Sequence, residues 1–311
     1  MSEAAGTTGT APDEPTTWLN QRERGTLWLM RLSFAAALRT GRPIMRAFVA
    51  LIALWYTLFD RRAVAASRDW LGRVLDEPVR WRHVYRHMRT FVQVTLDRVF
   101  LLGDRTRGMT FDRTGDHLLR EQLATGHGAL LLGAHLGSYE AMRAGGVDDE
   151  VPIHILGYFE NARMINALLD QLAPDHAARV LHLGDDPVGV MAGVRGRVDA
   201  GDFVAILGDR VGLNDRSIEV EFFGEPAPFA TGPLLLAHLL RCPVYFVCGL
   251  YTPPGRYSLH CEVFAESIDL PRKGRDEALR ELVQAYARRI EHHARSHPYN
   301  WFNFFDFWKS A

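Results

Sequence analysis

The rhythm of apolar and polar positions changes once along the chain. From about Trp18 to Leu102, apolar residues recur every three or four positions between arginines, as in Trp28, Leu32 and Ala35, or Phe91, Val94, Thr95 and Val99. That period predicts amphipathic helices with an Arg-rich polar face, interrupted at Gly41-Arg-Pro43 and Asp76-Glu-Pro78. From Gly126 onward, short apolar runs alternate with helical stretches. Strands are expected at Ala129–Ala134, Pro152–Leu156, Val180–Leu183, Phe203–Leu207, Ile218–Phe223, Val244–Leu250 and Tyr257–Val263. Helices are expected at Tyr139–Ala144, Ala162–Leu172, Pro187–Val198, Thr231–Arg241 and Asp276–Ser296. Such alternation predicts the α/β class, a mixed sheet flanked by helices, preceded by an N-terminal Arg-rich amphipathic helical region.

The same pattern divides the chain into a polar tail over 1–16, a helical region over 17–107 and an α/β domain over 108–311, the last two as one continuous unit. The tail is small, polar and acidic, which predicts disorder and is the wrong start for a signal peptide. The most apolar stretch, Ala47 to Phe59, lies between Arg46 and Asp60-Arg61-Arg62. A spanning helix needs roughly 20 apolar residues, so this helix is expected to pack into the core or lie on a membrane. A net charge of −1 gives no general argument for nucleic acid. Cys242, Cys248 and Cys261 form no CxxC pair, and an odd count argues for a reducing compartment.

Two constellations carry chemistry. In Gly133-Ala-His135-Leu-Gly137-Ser-Tyr-Glu140, a buried strand gives way to a helix. His135 in that turn, with Glu140 holding one imidazole nitrogen, would leave the other as a general base. The backbone amides of Gly137 and Ser138 would then face a developing oxyanion. The bland alternative is a satisfied histidine at a strand end. The second constellation, Gly208-Asp209-Arg210, follows the fourth expected strand. Arg210 could hold a phosphate or carboxylate with Asp209 orienting it, although a structural Asp–Arg pair is as common. His293 and His297 have a zinc-compatible spacing but no HExxH context, and no metal is expected.

The HxxxxE block from His135 to Glu140 resembles that of the lysophospholipid acyltransferase superfamily. Asp209-Arg210, Val220-Glu-Phe-Phe-Gly-Glu-Pro-Ala227, Thr231-Gly-Pro-Leu-Leu-Leu-Ala-His238 and Pro243-Val244 resemble, in order, the lipid A late acyltransferase branch. The resemblance implies an enzyme with no cofactor that takes acyl groups from acyl carrier protein or acyl-CoA to a lipid-like acceptor. It also implies work at the cytoplasmic face of the inner membrane, without nucleic acid. His135 would be the base, Glu140 its partner and Arg210 the binder of an anionic group. Two other outcomes remain open: a thioesterase using the same base on water, and a non-catalytic lipid-binding protein. The tail Trp301-Phe-Asn-Phe-Phe-Asp-Phe-Trp308 reads either as an acyl or bilayer contact or as a closure of the core.

Overall fold

The computed structural model describes residues 39–103, 105–146, 152–157, 180–182, 187–212 and 216–309. The expected 1–16 tail, the Trp28 stripe and the helix at 162–172 lie outside these. Three helices come first, α1 (Arg42–Phe59), α2 (Arg61–Val74) and α3 (Trp81–Leu102). The sheet is built from β1 (Thr110–Thr114), β2 (Ala129–Gly133), β3 (Ile153–Gly157), β4 (Val180–His182), β5 (Phe203–Leu207), β8 (Val244–Thr252) and β9 (Arg256–Ala265). A separate hairpin pairs β6 (Ser217–Phe222) with β7 (Glu225–Ala230). The other helices are α4 (Asp116–Ala124), α5 (Tyr139–Gly146), α6 (Pro187–Asp199), α7 (Gly232–Leu240) and α8 (Arg275–Ser296).

The seven-stranded sheet has the order β1-β9-β8-β2-β5-β3-β4. Its strands from β8 to β4 run parallel, while β9 pairs antiparallel with β8 and parallel with β1. The sheet is therefore mixed and flanked by helices. The strands at β1 and β7 were not legible. Thr110–Thr114 is largely exposed and lacks an apolar alternation, and Glu225-Pro-Ala-Pro reads as a turn by its prolines.

β2 is buried at every position because its two neighbours, β5 and β8, and helices on both faces leave it no solvent side. The helical region does not stand apart. Trp70 of α2 packs against Phe222 and Trp301, and its indole donates to the Pro298 carbonyl at 2.7 Å. The aromatic tail closes the core, with Trp301, Phe302, Phe305 and Phe307 all buried. All three cysteines are buried and free.

α1 has two apolar faces. Met45, Val49 and Ala53 are buried on one side, packed against α3. Ile44, Phe48, Leu51, Ile52, Trp55, Leu58 and Phe59 are exposed on the other, with Leu51 at 64%. Among the described residues, no helix is long and apolar enough to cross a membrane.

Candidate active site

Strand register alone brings the two sequence constellations together. Gly133 at the end of β2 pairs with Leu207 at the end of parallel β5. His135 and Asp209 each lie two residues beyond that pair, at the carboxyl edge where open α/β sheets bind ligands. Asp209 Oδ1 lies 2.8 Å from His135 Nδ1 and also accepts the His135 backbone N–H at 3.1 Å. A carboxylate only accepts, so Nδ1 carries the proton and the Nε2 lone pair is left over. Asp209 is fully buried, while 29% of the His135 side chain is exposed.

Glu140 is placed differently from the expected pairing. Its carboxylate lies 2.5 Å from Arg98 Nε on α3, an ion pair rather than an aligned hydrogen bond, and 3.5 Å from the Ser138 hydroxyl. The physical reason is helical phase: α5 begins at Tyr139, so Glu140 turns toward α3, away from the β5 edge where the imidazole points. Ser138 caps that helix, its hydroxyl accepting from the Ala141 N–H at 3.1 Å.

The amides expected to face an oxyanion are already committed. Gly137 N–H donates to the Asn300 carbonyl at 2.8 Å, and Ser138 N–H to the Gly249 carbonyl at 2.7 Å. They hold the His135 turn in place instead. Gly137 has φ +79°, and a Cβ there would come within 2.1 Å of the Gly249 oxygen, so only glycine fits.

Two tail residues that sequence reasoning had not assigned to the site complete it. Asn303 Nδ2 donates to Asp209 Oδ2 at 2.9 Å, and Asn303 Oδ1 accepts from Arg210 Nε at 2.7 Å. Arg210 also donates to the Phe302 carbonyl at 3.0 Å, and Phe302 N–H donates to the His135 carbonyl at 2.8 Å. Asn300, besides meeting Gly137, bonds the Tyr251 backbone on both sides, at 2.7 and 3.0 Å. The only signal in the sequence was polar asparagines inside a dense aromatic run, which are costly to bury without a partner.

Electrostatics follow from this geometry. Burial lowers the His135 pKa, as does the Arg210 charge, and Asp209 opposes them only in part. The imidazole is therefore neutral near pH 7 and able to accept a proton. Burial pushes the Asp209 carboxyl up, but His135, Arg210 and the Asn303 amide outweigh it and hold the group well below the usual carboxylate range. Burial lowers Arg210 to about 10, offset by Asp209, so it stays cationic at neutral pH. His293 sits apart, 2.8 Å from Glu262 and stacked on Phe246, with His297 at Thr252.

Residues 17–310 match the model of the family described as bacterial lipid A biosynthesis acyltransferase. The chain belongs to that family. No curated protein matches it.

Proposed function

We propose that this member of the lipid A biosynthesis acyltransferase family moves a fatty acyl group from a thioester to a hydroxyl or amine of a lipid-like acceptor, with His135 as general base. The donor would be acyl carrier protein or acyl-CoA. The observation that supports this most is the orientation of His135, with Nδ1 held by buried Asp209 and Nε2 left without a protein partner among the described residues. Nε2 takes the acceptor proton as the acceptor attacks the thioester carbonyl. The tetrahedral intermediate then collapses, the C–S bond breaks, and the imidazolium returns its proton to the departing thiolate. Asp209 stabilises the imidazolium between these steps. Arg210, next to Asp209 in the chain and held by Asn303 and the Phe302 carbonyl, would contribute positive potential to the developing oxyanion.

The test is an assay of the purified protein with labelled acyl carrier protein or acyl-CoA and a bacterial lipid extract, resolved by mass spectrometry. A new acylated lipid that depends on His135 is the expected product. Label released only as free fatty acid would assign a thioesterase instead. No His135-dependent turnover with either donor would leave a lipid-binding protein.

The reading extends to a peripheral position on the cytoplasmic face of the membrane. The exposed row on α1 ends beside Arg61 and Arg62, and Trp81, stacked on Tyr85, is also exposed. Apolar side chains rimmed by arginines suit an anionic lipid surface. Leu51→Asp is expected to weaken binding to anionic vesicles by about 10- to 100-fold in co-sedimentation, since burying a leucine contributes about 1.5–3 kcal/mol. Unchanged binding would remove α1 from the interface.

A further inference from the structure

We propose that Asn303 is a positioning residue for acyl transfer, its side-chain amide fixing Asp209 and Arg210 in a single arrangement that aims His135. This rests on the reading of His135 as the base, and it assigns a function to the tail that neither the HxxxxE block nor Asp209-Arg210 contains.

The amide orientation is forced. Arg210 can only donate, and ionised Asp209 can only accept, so Oδ1 must face the guanidinium and Nδ2 the carboxylate. Asparagine supplies one acceptor and one donor at the required reach. Aspartate would set a second carboxylate against Asp209, and leucine would strand two buried polar groups. Asn303 is itself buried, so solvent does not readily replace either bond. Its backbone is fixed by the same contacts that shape the catalytic turn. Phe302 bonds the His135 carbonyl at 2.8 Å and Asn300 receives the Gly137 N–H at 2.8 Å. A shift of the tail therefore moves Asn303 and the His135 turn together.

Charged and titratable groups reach this region from the β5 edge, α5 and α3. Asp209 and Arg210 come from the β5 edge beside His135, whereas the Glu140–Arg98 ion pair joins α5 to α3 and is turned away from that edge. His87 of α3, bonded to the Trp301 carbonyl at 2.9 Å, is held neutral because burial lowers its pKa to about 4. Of these, only Asp209 and Arg210 are bonded to Asn303. The Nδ2 donor draws carboxylate charge away from His135. Without it, Asp209 stabilises the imidazolium more strongly, and the acid limb of the rate profile moves to higher pH.

The experiment compares Asn303→Ser and Asn303→Leu, each alone and combined with Asp209→Asn, by acyl-transfer rate against pH and by thermal melting. The expected result is a kcat loss of about 10²-fold, the scale of an ångström-sized misplacement of a reacting group. Acceptor KM should change little, and the acid limb should rise. In the Asp209→Asn background the further loss should largely vanish, because both substitutions break the same connection. Losses that multiply in the double variants, an unmoved acid limb, or failure of both single variants to fold would overturn the proposal and leave Asn303 as a packing residue. Activity surviving in folded His135→Ala would instead remove the base reading on which it rests.

Discussion

His135→Ala and Asp209→Asn are each expected to lower kcat by about 10²–10⁴-fold, the usual contribution of a positioned general base, while the proteins remain folded. The alanine removes the base outright. The asparagine acts through hydrogen-bond polarity. Asp209 now accepts from the His135 backbone N–H, the imidazole Nδ1–H and the Asn303 amide. An asparagine can turn its oxygen toward only one side. With its NH2 toward His135, it selects the tautomer whose Nε2 is protonated and cannot act as a base. With its NH2 toward Asn303, two donors meet, and flipping Asn303 only transfers the conflict to Arg210. Either way the charge that stabilises the imidazolium is lost.

Glu140→Gln separates this arrangement from the one the HxxxxE spacing suggested. It leaves the Nδ1 partner in place and alters the contact with Arg98. A smaller loss is expected, with the acid limb unmoved. In the wild type that limb should lie below the ordinary histidine value of 6.5, because burial and Arg210 lower the pKa of His135. The sign is that of a base with a depressed pKa: activity is present above the folded-state value and is lost as pH falls through it. A profile of kcat/KM against pH for the three proteins checks both points. A larger loss in Glu140→Gln than in Asp209→Asn would restore Glu140 as the partner of the imidazole.

The sequence made the strand-end positions of His135 and Asp209 legible because β2 and β5 are short apolar runs with chemistry immediately after each. It could not pair them. Pairing depends on strand order, and β2 lies beside β5 only because the chain inserts β3 and β4 beyond β5. A spacing motif reports what is near in sequence, and Glu140 is near in sequence yet faces α3. The tail was harder still. Asn300 and Asn303 come more than ninety residues after Asp209, and their partners are mostly backbone groups of distant elements. Backbone carbonyls carry no residue identity, so no pattern of residue types could announce those bonds. Aromatic density marked the tail as core, and the polar residues inside it were the remaining clue.

Asp97→Ala is expected to destabilise the protein by about 3–5 kcal/mol, the cost of leaving a buried charge without its partner. Asp97 is fully buried and Arg42 is 5% exposed. The guanidinium meets the carboxylate twice, at 2.7 and 2.5 Å, and reaches the Gly108 carbonyl at 2.7 Å. Tyr257 OH and Gln93 Nε2 complete the carboxylate, at 2.8 and 2.9 Å. Removing Asp97 thus strands a cation, a hydroxyl and an amide at once. It does so where α1, α3 and β9 meet, so α1 should loosen and vesicle binding through its outer face should fall as well. The loss should appear as a lower urea midpoint at pH 7. Replacing the network as a unit, Arg42→Met with Asp97→Leu and Tyr257→Phe, should cost far less, because no charge is left behind. A loss below about 1 kcal/mol in Asp97→Ala, on the scale of an exposed pair, would show that apolar packing alone holds α1 in place.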